Sequence, residues 1–362
     1  MSIQNNYVGI MAGGIGSRFW PVSRTGKPKQ FLDLLGTGRT QIQWTYQRFL
    51  QFCPAENIYF ITNKEYIDLL KEQLPDVRDE NIIAEPSRKN TAPCAAYFAY
   101  KVHALNPDAN IILSPADHLI LDERAFERTM YEALDLVSHH DVLLTLGIKP
   151  TRPDTGYGYI QYEQDEAQQE RMYRVKTFTE KPPLELAKTF LSSGDFLWNS
   201  GLFIWNTRTI LAAIREYMPG MDELFTGIAA TYNTPDEAEA IKMVYPQVTN
   251  TSIDYGIMEK ASNVYVIPSD FGWCDLGTWQ SVYDNSEKDY LGNAVYGDQV
   301  MIMDANGCMI KAENGKLIVL QGIEDLIVID TPDVLLICER DKEQQIREYV
   351  AEVKRNKGDR FL

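Results

Sequence analysis

Cysteine is scarce and scattered in this chain of 362 residues. The five cysteines, at 53, 94, 274, 308 and 338, form no C-x-x-C pair and lie at least 30 residues apart. That spacing excludes a disulfide framework and a cysteine zinc site, and fits reduced packing cysteines in a reducing compartment. Long apolar runs are missing too. Nothing approaches the ~18 residues that cross a bilayer, and the opening Met-Ser-Ile-Gln-Asn-Asn has neither the basic nor the apolar part of an export signal. The expectation is a cytoplasmic protein with no membrane partner. Positive charge is also in deficit, with 35 Lys and Arg against 51 Asp and Glu and a net charge of −16. General nucleic-acid affinity needs clustered cations, so it is excluded as well.

The composition that remains is that of a soluble globular protein, 44% apolar and 24% charged. The length exceeds what one core usually supports, so a large domain plus a smaller one is expected. Low-complexity segments are absent.

Against the acidic background one stretch stands out, Gly9-Ile-Met-Ala-Gly-Gly-Ile-Gly-Ser-Arg-Phe-Trp-Pro-Val-Ser-Arg-Thr-Gly-Lys-Pro-Lys-Gln-Phe31. An apolar strand over residues 7–11 runs into glycines at 13, 14 and 16. Arg18, Arg24, Lys27, Lys29 and Arg39 then follow with a single acid, Asp33. Glycines let backbone N–H groups approach an anion closely, and the cations supply countercharge: the pattern is a phosphate cradle. A tight turn with a solvated basic flank is the plainer account. A dinucleotide G-x-G-x-x-G is excluded because Phe19 stands at the third glycine position, and a P-loop because Pro28 follows Gly26-Lys27.

The run Gly13-Gly-x-Gly-Ser-Arg18-x-Trp-Pro21 with Pro28-Lys29-Gln-Phe-Leu resembles the signature of the sugar-nucleotide pyrophosphorylases. Its Trp-Pro and Lys-Gln-Phe details resemble those of the mannose-1-phosphate guanylyltransferases among them. Helical and strand patterns support a matching fold. Helices are expected near 41–52, 64–74, 92–105 and 124–138, alternating with apolar strands at 57–62, 82–84, 110–114 and 141–147. This reads as an α/β fold with a Rossmann-like mixed, mostly parallel sheet, and ligands gather beyond the carboxyl ends of such strands. The pattern loosens from about 150 to 285, with an antiparallel or mixed extension and helices near 207–217 and 236–244. After 285, short strands recur every nine residues or so, parted by turns at Ala305-Asn-Gly307, Glu313-Asn-Gly315 and Thr331-Pro-Asp333. A small β-rich, β-helix-like domain is expected over 286–362, after a nucleotidyltransferase domain over 1–285. A closing helix over 342–354 places Ile346, Tyr349, Val350 and Val353 on one face.

Transfer of a nucleotidyl group to a sugar phosphate brings two anions together, so positioning, charge neutralisation and a divalent metal are the needs. Arg18 and Lys29 are the candidate catalytic cations, one a bidentate fork and the other a compact point charge. The resemblance implies nucleotide contacts from Ala12, Gly13, Gly14, Gly16, Ser17, Arg18 and Lys29; Arg24 and Lys27 are weaker candidates. Asp117, in Ser114-Pro-Ala-Asp-His118 at a strand end, reads by itself as a helix cap. Beside a phosphate loop, and by the resemblance, it becomes a nucleotide contact and Mg²⁺ ligand. Asp275, in Trp273-Cys-Asp-Leu-Gly-Thr-Trp279, is the second metal candidate.

Glu85 opens Glu85-Pro-Ser-Arg-Lys-Asn-Thr-Ala-Pro93. A carboxylate offers two acceptors to guanine N1–H and N2–H and repels the acceptor N1 of adenine, so Glu85 reads as base-selecting. Asn90 and Thr91 share this nucleotide-binding segment, although a Pro turn and an Asn-Thr helix cap explain the same residues. For the sugar phosphate the resemblance implies Gly158, Glu180, Lys181 and Asn199. Each is weak alone, because Glu-Lys is commonly a surface ion pair and Asn-Ser-Gly a turn.

These readings together imply transfer of GMP from GTP to mannose 1-phosphate, giving GDP-mannose and pyrophosphate with Mg²⁺ as cofactor. A nucleotidyltransferase with another base or sugar fits the same fold. A non-catalytic nucleotide-sugar-binding subunit is the reading from a different class, though it would be expected to have lost Arg18, Lys29 or an acid. Tail strand edges that need covering allow a homodimer.

Overall fold

A computed structural model describes residues 3–169, 171–313 and 315–362. Met1 and Ser2 lie outside the described residues, as does Asn314 of the expected Glu313 to Gly315 turn. The chain forms two compact units. One comprises Met1–Gly13, Thr45–Ala116 and Ile120–Trp273, and the other Gly14–Trp44, Asp117–Leu119 and Cys274–Leu362.

The first unit is built on a nine-stranded sheet. Its spatial order is Ile82–Glu85, Ile58–Asn63, Asn6–Met11, Asn110–Pro115, Phe196–Asn206, Leu143–Ile148, Val264–Ser269, Met172–Glu180 and Gly158–Gln169. The first four strands are mutually parallel, and Val264–Ser269 pairs parallel to Leu143–Ile148. Phe196–Asn206 lies antiparallel between Asn110–Pro115 and Leu143–Ile148, so the sheet is mixed. Ile58–Asn63 and Leu143–Ile148 are buried at every position, which explains their mainly apolar sequences, and the buried Thr62 and Thr145 hydroxyls are hydrogen-bonded.

The expected helices appear as Gln41–Phe49, Ile67–Gln73, Thr91–Leu105, Glu123–His139, Thr207–Tyr217 and Glu237–Val244. Helix Glu123–His139 is capped by Asp122, whose Oδ1 accepts from Ala125 N–H at 2.9 Å. It buries Phe126, Met130, Ala133, Leu134 and Val137, a single 3.6-period face. Helix Thr91–Leu105 lies so close to the sheet that a Cβ on Gly9 would stand 2.6 Å from Phe98. Glycine at the centre of a strand is therefore a packing requirement here. Helices Leu184–Ser193, Pro219–Gly227 and Trp279–Asp284, and a π turn over Asp254–Met258, were not legible as patterns.

The second unit contains the β-rich tail. Ala294–Tyr296, Met309–Lys311 and Leu326–Asp330 stack as a parallel ladder, with Ala294 opposite Met309 and Met309 opposite Ile327. Val300–Met303 and Ile318–Gln321 form a second parallel pair. The nine-residue interval is thus half a coil: successive strands alternate between two ladders, as in a β-helix. Leu335–Glu339 returns antiparallel on Leu326–Asp330 and ends the stack. The closing helix is Ile346–Lys357, later than expected because Arg340–Gln345 forms a 3₁₀ turn. Ile346 is fully buried, and Tyr349, Val350 and Val353 pack on the same core as Phe19, Trp20, Leu276, Trp279 and Ile329.

Trp279 is completely buried, meets Phe19 edge-on at 5.2 Å, and keeps an indole N–H without a hydrogen-bond partner among the described residues. Trp279→Ala should destabilise this unit by about 3–5 kcal/mol, through lost burial and the cavity left behind. Trp279→Phe should cost less, because no hydrogen bond is lost. Urea unfolding followed by tryptophan-independent circular dichroism checks both, and equal costs would mean that the ring volume is not what matters.

Candidate active site

The strands Asn6–Met11 and Asn110–Pro115 end in register, Met11 opposite Pro115. The glycine loop follows the first and the Asp117 segment the second. Ala12 and Gly13 belong to the sheet-bearing unit, while Gly14, Gly16, Ser17, Arg18, Lys29, Asp117 and Asp275 all belong to the other.

In that second unit the predicted cation and both predicted acids converge. Lys29 is buried, and its Nζ donates to the carbonyls of Asp275 at 2.8 Å and Leu276 at 2.9 Å, while the Asp117 carboxylate lies 3.0 Å away. Two carbonyls thus accept from the ammonium, and the Asp117 carboxylate supplies its countercharge. Local backbone makes this possible. Gly16 adopts φ 65°, and a Cβ there would stand 2.6 Å from Lys29 Cβ, so the loop can close over the lysine stem only with glycine. Leu276 holds φ 42°, a left-handed conformation that bulky residues seldom adopt, and its buried side chain anchors the turn that aims its carbonyl at Lys29. The Asp275 carboxylate turns back to accept from Gly277 N–H at 3.0 Å.

Gly14 is exposed, and a Cβ there would meet nothing within 4 Å. Its glycine serves no packing need inside the protein, and its carbonyl accepts from Gln30 Nε2 at 3.0 Å. Ser17 and Arg18 start the short turn Ser17–Phe19, where Arg18 Nε is buried without a hydrogen-bond partner among the described residues. Arg18 also helps hold down the carboxyl of Glu343, which burial raises, and its like charge adds to the burial that lowers Arg347. Arg24 is differently engaged. It forms a bidentate pair with Asp333, at 2.8 and 2.6 Å, so it braces the tail and is not free for an anion. Lys27 is solvent-exposed.

Two carboxylates supply hard oxygen donors, and no group of three or more His, Cys, Asp or Glu able to hold a metal occurs among the described residues. Asp117 and Asp275 are carboxylates, the donor type that a hard divalent cation takes beside water and phosphate oxygens; in this structure Asp117 is paired with Lys29 and the Asp275 carboxylate with Gly277 N–H.

The first unit holds the remaining predicted residues in two groups. Glu85 ends strand Ile82–Glu85, 8% exposed, with Oε2 3.5 Å from where a Gly13 Cβ would stand. Its other oxygen, Oε1, accepts from the Tyr245 hydroxyl, so the free bidentate carboxylate expected from the sequence is already half engaged. Burial raises the Glu85 carboxyl to about 7, with the Tyr245 hydrogen bond opposing. Asn90 and Thr91 serve the helix start: Asn90 Oδ1 accepts from Thr91 N–H, and Thr91 Oγ1 from Ile253 N–H, both at 2.9 Å. Ala12 has its peptide engaged by the neighbouring strand, donating to Ile61 O at 2.8 Å and accepting from Thr62 Oγ1 at 2.9 Å.

The second group gathers Gly158, Glu180, Lys181 and Asn199. Gly158 is forced by proximity, since a Cβ would stand 2.5 Å from Glu180 Oε2 and 3.3 Å from Asn199 Cβ. Lys181, largely exposed at φ 48°, pairs with Glu180. Asn199 is fixed at both ends of its amide: Oδ1 accepts from Gly201 N–H at 3.2 Å, and Nδ2 donates to Asp254 Oδ1 at 3.0 Å. Asp254 was invisible in the sequence. It opens the π turn Asp254–Met258, and burial, then the Glu180 charge, raise its carboxyl to about 7. Single π turns mark functional sites in helical segments, but they have no sequence signal.

These features define a nucleotide- and phosphate-handling α/β enzyme, and the chain belongs to the nucleotidyl transferase family, which matches residues 8–290. Residues 297–353 match the MannoseP isomerase/GMP-like beta-helix domain. The chain is 35% identical to the alginate biosynthesis protein AlgA of Pseudomonas aeruginosa over 347 residues, covering 95% of this chain and 71% of that protein. It is also 35% identical to the mannose-1-phosphate guanylyltransferase of Escherichia coli, covering 96% and 73%. The solved mannose-1-phosphate geranyltransferase of Thermus thermophilus superposes with a TM-score of 0.87 at 28% identity, covering 97% of this chain and all of that one. Members of the family generally use a divalent metal.

A carboxyl raised from 3.8 to about 7 binds more protons folded than unfolded, so its contribution to stability falls as pH rises between those values. Asp254→Asn should remove that loss. The variant should gain about 1–2 kcal/mol over the parent at pH 8 relative to pH 4, discounted because Asp254 is partly solvated. Urea midpoints at the two pH values check this, and a pH-independent difference would assign the effect to packing.

Proposed function

We propose that this chain transfers GMP from GTP to mannose 1-phosphate, giving GDP-mannose and pyrophosphate. The observation that carries the reading is the convergence of Lys29, Asp117 and Asp275 in one unit, in a chain whose relatives include a mannose-1-phosphate guanylyltransferase. A phosphate oxygen of the sugar phosphate attacks the α-phosphorus of GTP. The new P–O bond forms as the bond to the β-phosphate oxygen breaks, and pyrophosphate leaves with that electron pair. No protein base is needed, because the attacking oxygen is already ionised.

Lys29 and Arg18 neutralise charge on the triphosphate, with Lys29 exchanging its Asp117 partner for a phosphate oxygen. Gly13, Gly14, Gly16 and Ser17 present the loop to the phosphates, with Ala12 supporting its base. Asp117 and Asp275 would hold Mg²⁺, which supplies charge neutralisation for the phosphate oxygens when bound. Glu85 accepts from the guanine edge donors, in the segment that Asn90 and Thr91 shape. Lys181 binds the sugar phosphate, while Glu180, Asn199 and the Gly158 peptide serve the sugar hydroxyls. The functional division follows as a nucleotidyltransferase domain over 1–285 and a β-helix domain over 286–362. Cysteines kept as thiols support a cytoplasmic setting, and the exposed Met301, Met303, Leu317 and Val319 support a second copy of the chain as partner.

Purified protein with GTP, Mg²⁺ and mannose 1-phosphate should release pyrophosphate. UTP, dTTP, CTP and ATP, and other sugar 1-phosphates, should serve poorly. No release with any pair would sink the reading. Lys29→Met, shown to be folded by circular dichroism, should lose on the order of 10²-fold in turnover, and a near-normal rate would remove Lys29 from the mechanism. Asp275→Asn should shift the Mg²⁺ titration to higher concentration; an unchanged titration returns this segment to the core.

A further inference from the structure

The stretch from Tyr245 to Asp254 carries no catalytic or ligand-binding motif, only a chance Asn-Thr-Ser sequon at 250–252, yet it touches the base-reading segment repeatedly. Tyr245 is fully buried, edge-on to Phe225 at 6.4 Å, and its hydroxyl donates to Glu85 Oε1. Lys89 Nζ donates to the carbonyls of Pro246 at 2.7 Å and Val248 at 3.0 Å. Ala92 N–H donates to Thr251 O at 3.1 Å, and Ile253 N–H to Thr91 Oγ1 at 2.9 Å. A loop that ends a strand with Glu85 and starts a helix at Thr91 is thus fastened along its whole length. Of these contacts, the Tyr245 one reaches the carboxyl read as base-selecting.

We propose that Tyr245 is a specificity-determining positioning residue, whose hydroxyl locks the Glu85 carboxyl so that Oε2 is presented as an acceptor to the N–H donors of guanine. The inference rests on the reading of Glu85 as the base-selecting acid. Its physical content is the choice between acceptor and donor. A carboxyl in this buried place titrates near 7, and the Tyr245 hydrogen bond is what pulls it down. Without that bond the group holds its proton at neutral pH, and a neutral carboxyl can donate to adenine N1 while losing an acceptor for guanine. The other ionisable groups around the pair are Cys94 and Tyr97 of helix Thr91–Leu105, both buried and both pushed up by burial. They stay neutral through this pH range, so they do not supply the titration.

The test is Tyr245→Phe, which removes one oxygen and keeps the ring in its place. GTP binding is measured by calorimetry from pH 6 to 8.5 without sugar phosphate, which keeps Asp254 out of the readout. Pyrophosphate release is then compared for GTP and ATP. The acid limb of GTP binding should move to higher pH, the GTP preference in kcat/KM should fall about tenfold, and the KM for mannose 1-phosphate should not move. A folded Tyr245→Phe with the parent pH profile and preference overturns the inference. Glu85→Gln separates the two levels. If it keeps the parent preference for GTP, the base reading of Glu85 falls and this inference with it. If it loses the preference while Tyr245→Phe keeps it, Tyr245 alone is wrong. Should Tyr245→Phe not fold, 3-fluorotyrosine at 245 supplies a stronger donor, and the acid limb should move to lower pH; an unmoved limb overturns the proposal.

Discussion

The buried ammonium of Lys29 donates to the carbonyls of Asp275 and Leu276 and is ion-paired with the Asp117 carboxylate, all within the second unit. Three chain segments far apart in sequence meet at this one nitrogen. A buried cation is costly unless paired and hydrogen-bonded, so the segments are drawn into place by the need to satisfy it. Gly16 and Leu276 take left-handed backbone conformations around the same point, one at no cost and one against its preference. The strain is tolerated because Leu276 is held in the core with Phe19 and Trp279. What stabilises the tail's core thereby also shapes the environment of the lysine.

The sheet-bearing unit uses carboxyl groups differently. Glu85 and Asp254 have raised proton affinity, and their carboxyl groups accept from neutral groups, the Tyr245 hydroxyl for Glu85 and the Asn199 amide with the Ser252 side chain for Asp254. Carboxyl groups held this way suit uncharged N–H and O–H donors of a ligand, whereas an acid beside a lysine suits phosphate and metal chemistry. The Tyr245 to Asp254 stretch supplies the Glu85 partner at one end and Asp254 itself at the other. Its conformation therefore bears on both groups of predicted ligand-binding residues in that unit.

Much of this was legible because local rules and tertiary demands agree. Gly13, Gly14 and Gly16 stand out in the sequence as a cluster, and of the three Gly16 takes the left-handed backbone that glycine favours. Burial at every position of Ile58–Asn63 and Leu143–Ile148 leaves mainly apolar runs, and the face of helix Glu123–His139 repeats at helical spacing. The nine-residue rhythm of the tail was visible, and its meaning as half a coil needed the two ladders. Arg24 shows where local reading fails. Near a glycine loop it looks like a phosphate ligand, but its partner, Asp333, is 309 residues away. Asp254 and Tyr245 failed to register for a related reason: one acid and one tyrosine in an unpatterned stretch acquire meaning only from their neighbours in space.

The sequence by itself determined the alternation of strands and helices, the phosphate loop, the two acid segments and the β-rich tail, since each depends on periodicity or on residue types a few positions apart. Only tertiary structure decided that Lys29 holds Asp117 and the Asp275 turn together, that Arg24 is occupied, and that Glu85 and Asn199 take fixed partners from 245–254. Those outcomes are hydrogen bonds and ion pairs between residues far apart along the chain. Their geometry is set by which side chains can satisfy a buried polar group, and spacing along a sequence carries no record of that.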